Sequence, residues 1–466
     1  MKTRSAYFLI IIVCSSILCF WRLGEHPLEE WDESRYGLNA YEMLQTRDFV
    51  NYYYEKQPDQ WNAKPPLSIW LIALSYKIFG FNEFALRFPS ALVGVLMFIV
   101  FFHLISYSYS LNFSLIVCLI LMSTKAIIGS HVARTGDMDS LFVLFVLCSI
   151  YFFVRYVKEK KYFIYLVTLF LGLSFYVKGL TFLLLIPGLL TFLVLIKKLK
   201  WLFIQRKFWI SGVIFLIICS SWYFVQKVYG NVYNSPQFIG KTSWDTMWKY
   251  DIVGRFLDHG FEENKVNKRF SFIITNLDVK FNLWNYLFYV SIILLIIMYK
   301  RKNLKIRENE LLLLSLCIIV TVSVILTFSQ NKRPWYIAPM MPFVAIVTTT
   351  GIRYIWKYNY VKYVVSGLLL FTLIRQFIFV DSVKKDRGYF VKQNRNLIEN
   401  CHQFKIGQDL PQDLKLYSYW YNKNVIKIQD FNIERDNCYL LINKENYDIP
   451  GYNCFENYCL VLTDNK

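Results

Sequence analysis

Apolar residues run through this chain in blocks separated by short polar stretches. The blocks lie near 5–22, 84–106, 111–129, 140–157, 162–177, 180–196, 208–228, 284–299, 311–328, 335–352 and 361–379. A bilayer core requires about 20 apolar residues per helix. The pattern therefore predicts an all-α polytopic membrane protein with about eleven transmembrane helices. The stretch 66–80, PLSIWLIALSYKIFG, is apolar but short and aromatic, and reads as a helix at the membrane interface. The opening MKTRSAYFLIIIVCSSILCFWRL resembles a signal peptide. No small-x-small cleavage site precedes Trp21 and many spans follow, so it reads as an uncleaved first helix.

The polar stretches alternate in character. RYVKEKK (155–161), KKLKWLFIQRK (197–207), KRKNLKIR (300–307) and RYIWKYNYVK (353–362) are short and basic, which predicts a cytoplasmic location. With the spans above, all four fall on the side of Lys2 and Arg4, giving a cytoplasmic N-terminus. The outer side then holds a long first loop (23–83), the link 130–139, a tight turn at Lys178–Gly179, a second long loop (229–283), the turn 329–334 and the tail 380–466. The tail mixes β-like runs (LKLYSYWY, CYLLINK, YCLVLTD) with helix-like ones. It predicts a small extracytoplasmic α/β domain at 381–466, after a transmembrane domain at 1–380.

Composition agrees: of 466 residues, 55% are hydrophobic and 19% aromatic, too little charge to cover a soluble globule of this size. The net charge of +19 would suggest nucleic acid in a soluble chain, but these charges sit between spans, so no nucleic-acid partner is expected. Of the ten cysteines, Cys14, Cys19, Cys118, Cys148, Cys219 and Cys317 lie in apolar runs, where cysteine acts as a small hydrophobe. Cys401, Cys438, Cys454 and Cys459 lie in the tail, where disulfides can form in a pairing the sequence leaves open.

Ionisable groups beside hydrocarbon are costly and usually mark a task. Here they converge on one face. Asp32, Glu33 and Arg35 (in DESRY) and Lys64 (in WNAKPPL) belong to the first loop. Arg134, Asp137 and Asp139 come from HVARTGDMDS, Lys178 from YVKGL, Arg255 from the second long loop, and Lys332, Arg333 and Tyr336 from NKRPWYIAP. Carboxylates among cations suit a transfer in which an acid takes a proton from the nucleophile while cations stabilise a departing phosphate. A lipid phosphate is the natural leaving group in such a place. A plainer reading of Asp32 and Glu33 is helix capping, and of Lys178 a snorkelling helix end.

DESRY, then KPPLSIWLIALSYKIFGFNEFALRFPSAL, resembles the start of the GT-C glycosyltransferases related to protein O-mannosyltransferases and the lipid A aminoarabinose transferase. ARTGDMD, YVKGLTFLLLIP and KRPWYIAPMMP follow in the family's order, so the resemblance covers roughly residues 1–380. It implies a polyprenyl-phosphate-linked sugar donor, undecaprenyl-type in a bacterium, an acceptor that is a lipid, glycan or protein, and inverting transfer at the outer face of the cytoplasmic membrane. Asp32 would be the general base, with Glu33 in support. Arg35, Lys64, Lys178 and Tyr336 would line the donor-phosphate cavity, and Arg255, Lys332 and Arg333 could contribute. Asp139 fits the family's spacing from Arg134 better than Asp137, and both are kept as candidates. The family's metal-holding glutamate before the lysine is Ala63 here, which makes a divalent ion doubtful and no cofactor certain. Asp251 and His259 are weak candidate metal ligands. An oligosaccharyl-type GT-C transferase is an alternative. So is a lipid-glycan transporter, though a transporter would be expected to place broken helices at the midplane.

Overall fold

The structure is a computed structural model. It describes residues 2–59, 61–129, 131–231, 242–247, 271–302, 309–329, 332–407, 409–428, 437–442, 453–456 and 458–462. Among them, eight helices are long and apolar enough to cross a membrane. These are Thr3–Phe20, Glu83–Ser106, Asp139–Glu159, Phe163–Leu195, Arg206–Tyr229, Glu310–Phe328, Pro334–Ile355 and Asn359–Asp381. Leu67–Phe79, Leu111–Met122 and Trp284–Lys300 are apolar but shorter. In Pro334–Ile355 the apolar window is 89% buried, whereas in Arg206–Tyr229 it is 11% buried. The first therefore lies at the bundle centre and the second presents Ile214, Leu216, Ile217 and Phe224 outward, as a lipid-facing helix does.

The run at 162–177 is the helix Phe163–Lys178, and the run at 180–196 is a 3-10 segment, Gly179–Leu185, that leads into Ile186–Leu195. Lys178 (φ −139°, ψ 24°) and Gly179 (φ 59°, ψ −140°) both leave helical values, so the backbone breaks where the tight turn was expected, and glycine carries the left-handed conformation without a Cβ penalty. The run at 111–129 is helical only to Met122, because the Ser123 and Thr124 hydroxyls donate back to the carbonyls of Ile120 and Leu121. Thr124 then caps the short turn Lys125–Ile128.

The first loop contains the helix Asp32–Thr46 and a two-stranded ribbon, β1 (Tyr53–Tyr54) with β2 (Gln57–Pro58). The tail builds a sheet of β3 (Gln403–Gly407), β4 (Val425–Ile428), β5 (Asn437–Ile442), β6 (Asn453–Phe455) and β7 (Tyr458–Leu462), in the order β4-β3-β5-β7-β6. LKLYSYWY, expected as a strand, is instead most of the helix Gln412–Tyr421. β3 and β4 pair in parallel and need a crossover between them. This helix supplies it, burying Leu414, Leu416, Tyr417 and Tyr421. Cys401 and Cys438 form a disulfide.

Candidate active site

The helix Asp32–Thr46 begins abruptly. Its N-cap, Trp31, has φ 71° and ψ −110°, and no side chain caps the helix. The capping role open to Asp32 and Glu33 is therefore not taken. A left-handed non-glycine residue costs on the order of 1–3 kcal/mol and persists only where its surroundings hold it. Asp32 stands in the first turn, where the helix dipole favours an anion.

Three side chains gather here. His131 Nδ1 lies 3.8 Å from Asp32 Oδ2 and 3.4 Å from Asp137 Oδ1. The side chains of Asp32 and His131 are 16% and 19% exposed, that of Asp137 only 2%. Asp32 is therefore the more accessible of the two carboxylates. Burial works to lower the His131 pKa, but Asp137, Asp32 and Glu29 outweigh it and lift it to about 9. The imidazole is then a cation at neutral pH, between two acids. Burial pushes the Asp137 carboxyl up, against the pull of His131. His131 also has a left-handed backbone (φ 66°) and stacks on Trp335, with ring centroids 3.7 Å apart.

Glu33 is fully engaged elsewhere. Arg87 donates to both its oxygens at 2.6 and 2.7 Å, and the backbone N–H groups of Glu29 and Gly136 add 2.7 and 2.8 Å bonds. The bond to Gly136 needs close approach: a Cβ there would meet Leu86 at 2.7 Å. Arg87 is buried and also donates to the carbonyls of Leu23, His26 and Pro27. Glu33 is thus a brace joining the first loop to the 130–139 link.

Arg35 is also engaged in an ion pair. It grips Asp59 with two bonds, at 3.0 and 2.6 Å, and packs over Tyr54 and Trp61. Asp59 also accepts from Asn39 and from the backbone of Trp61. Lys178 forms a buried ion pair with Asp139, its ammonium 5.3 Å from the Tyr336 ring. The second acid beside Asp32 is therefore Asp137, whereas the spacing favoured Asp139. Arg134 donates to the carbonyls of Leu18, Cys19 and Trp21, satisfying the end of the first helix.

Lys64 keeps a different status. Among the described residues it pairs with no carboxylate; its ammonium donates to Tyr36 at 3.3 Å and faces the Trp61 ring at 5.3 Å. Lys332 donates to the carbonyl of Thr327. Lys332 and Arg333 lead into the 3-10 segment Pro334–Met340, which carries Trp335 against His131 and Tyr336 against Lys178. Arg255, Asp251 and His259 lie outside the described residues.

Sequence reading passed over His131, Arg87, Asp59 and Trp335. His131 and Arg87 both sat inside quoted motifs, but their roles depend on which loops meet. Asp32, His131 and Asp137 each offer a ligand atom within 4.8 Å of the others, close enough to hold one cation. His131 would have to shed its proton to bind one, so ion and imidazolium are alternatives. At the position of the family's metal-holding glutamate, Ala63 is buried and offers no ligand.

Comparison with known proteins bears out the resemblance. Residues 63–224 match the dolichyl-phosphate-mannose-protein mannosyltransferase family. An uncharacterized protein of Aquifex aeolicus is 27% identical over 345 residues, 73% of this chain and 63% of that one. The undecaprenyl phosphate-alpha-4-amino-4-deoxy-L-arabinose arabinosyl transferase 2 of Pseudomonas fluorescens is 29% identical over 128 residues, 28% of this chain and 23% of that protein. The chain thus spans less than two thirds of the length of these relatives. Among solved structures, ArnT from Cupriavidus metallidurans bound to undecaprenyl phosphate superposes with a TM-score of 0.72 at 14% identity, covering 98% of both chains. The fold is that of the GT-C membrane transferases.

Proposed function

We propose that this protein is an inverting glycosyltransferase that moves a single sugar from a polyprenyl-phosphate donor to a hydroxyl or amine acceptor at the outer face of the cytoplasmic membrane. The observation that carries the reading is the partial exposure of Asp32. Its neighbours Glu33 and Arg35 are bound in ion pairs, while its own carboxylate stays partly open at a helix start. The acceptor's O–H or N–H proton passes to Asp32 as the acceptor atom bonds the anomeric carbon. The bond from that carbon to the phosphate oxygen breaks in line, and its electrons leave with the polyprenyl phosphate. Lys64, which has no acidic partner among the described residues, is the cation best placed to meet that charge, with Lys332 and Arg333 as further candidates. Arg35 and Lys178 hold the walls. The protonated His131 keeps Asp32 and Asp137 together despite their like charge.

The ArnT likeness supports a polyprenyl-phosphate donor, since that structure was solved with undecaprenyl phosphate bound. The Cys401–Cys438 disulfide supports an oxidising, extracytoplasmic place for the tail. The test is purified protein in lipid nanodiscs given undecaprenyl-phosphate-linked sugars and a panel of acceptors. Release of undecaprenyl phosphate that depends on acceptor is expected. Donor crossing the bilayer unchanged would favour a carrier instead.

A further inference from the structure

Asp32 belongs to a run of acids, Glu29-Glu30-Trp31-Asp32-Glu33, and the acids on either side of it are gripped by arginines from opposite directions in the chain. Glu33 is held by Arg87 of the membrane domain. Glu30 is held by Arg387, at 2.5 Å, from the first residue of the helix Arg387–Gln393 that follows the last span. Arg387 is itself fixed. Its Nε and Nη2 donate to the two oxygens of Asp413 at 3.1 and 3.0 Å, and its Nη1 donates to the Tyr458 hydroxyl at 3.0 Å. Asp413 is buried in the helix Gln412–Tyr421 and Tyr458 opens β7, so the guanidinium is clamped into the tail domain and presents one remaining N–H edge to the loop.

Between the two gripped acids lies Trp31, in the left-handed backbone that turns the chain into the helix of Asp32. A strained residue of this kind needs both flanks fixed. Other contacts hold the same loop to the tail: Lys392 reaches the Gly24 carbonyl at 2.6 Å and Glu83 at 2.9 Å, and the Tyr417 hydroxyl accepts from the Leu28 N–H at 3.1 Å. Of these tail contacts, that of Arg387 with Glu30 falls within two residues of Asp32. Glu30, Arg387 and Asp413 also line a cavity of about 580 Å³ whose wall includes His131, so the network borders the reacting cluster.

We propose that Arg387 is a positioning residue: by holding Glu30 it fixes the Trp31 turn and so the direction in which Asp32 meets the acceptor. The consequence rests on the function proposed above. The tail then sets catalytic geometry without touching either substrate. Glu30 is 38% exposed, so its pair with Arg387 adds little to stability. A displacement of about 1 Å at a reacting group can nonetheless cost on the order of 100-fold in rate. Stability and turnover should therefore separate.

The experiment compares wild type with Glu30→Gln, Arg387→Ala and Arg387→Lys in nanodiscs, by hydrogen–deuterium exchange and by steady-state turnover of an undecaprenyl-phosphate sugar. In Glu30→Gln and Arg387→Ala, amides at 30–36 should exchange at least about tenfold faster, and kcat should fall about 10- to 100-fold with donor KM within twofold. Arg387→Lys should recover part of both. Glu30→Gln leaves the Arg387–Asp413 pair intact, so it reports on positioning even if Arg387→Ala folds poorly. Unchanged exchange at 30–36 in Glu30→Gln would overturn the proposal, as would faster exchange with wild-type kcat. Faster exchange in a protein whose wild type never releases undecaprenyl phosphate would sustain the anchoring of Asp32 and overturn only the transferase reading.

Discussion

Two adjacent acids of one five-residue stretch, Glu29–Glu33, behave in opposite ways. At Glu33 every oxygen is satisfied, by Arg87 and two backbone N–H groups, and the side chain is sealed. One residue earlier, Asp32 has a 3.8 Å contact with a histidine and partial exposure. His131 and Asp137, its neighbours, each keep a buried polar atom with no hydrogen-bond partner among the described residues. A satisfied ion pair is architecture. An under-satisfied cluster at a left-handed turn is where the fold leaves capacity for chemistry. The difference follows from which side chain each acid meets, an arginine for Glu33 and a histidine for Asp32, and the acids themselves carry no label.

If that contrast is right, the sealed side should fail by unfolding. Arg87→Ala strands Glu33 in a buried site, which costs about 3–5 kcal/mol. Its melting temperature in detergent should collapse, and the remaining folded fraction should be too small to assay. A near-native melt would mean that Glu33 is better solvated than the structure indicates.

The open side should fail by function. Lys64→Ala removes a cation with no acidic partner, so its effect should fall on the donor. Undecaprenyl phosphate should bind about 10- to 100-fold more weakly, the scale of one charge-assisted hydrogen bond of about 1.5–3 kcal/mol. The melting temperature should stay within a few degrees. Arg35→Gln should show the reverse, losing stability before affinity, because Asp59 is stranded. Microscale binding of undecaprenyl phosphate beside thermal melts distinguishes the two.

The comparison also sharpens through pH. Glu42 is buried on the same helix as Asp32, and burial lifts its pKa from 4.5 to about 7. The folded chain then keeps a proton that the unfolded chain releases above its ordinary pKa, so stability falls as pH rises from about 4.5 to about 7. Glu42→Gln should remove this slope, about 3 kcal/mol across the window. Melts of the variant that still decline over this range would assign the slope to another group.

Much of this was legible from the chain. Spans follow from the length of apolar runs, because hydrocarbon admits little else. DESRY and KPPL pointed to Asp32 and Lys64, because charge beside a membrane is rare. What was hidden is pairing between segments far apart. The bonds of Arg35 to Asp59 and of Lys178 to Asp139 join segments that lie apart in the sequence, and Asp59 lay outside every quoted motif. His131 became a member of the site only when the 130–139 link folded against the first loop. LKLYSYWY has the alternation of a strand, and the need for a crossover between parallel strands overrode it.

The central claim, that Asp32 removes the acceptor's proton, is tested most directly by Asp32→Asn. The measurement is single-turnover transfer from an undecaprenyl-phosphate sugar, made beside binding of undecaprenyl phosphate and a thermal melt. The account predicts a rate at least about 1,000-fold lower, with binding and melting unchanged, since the amide keeps the shape and cannot take the proton. Transfer by the asparagine variant within tenfold of wild type would contradict it.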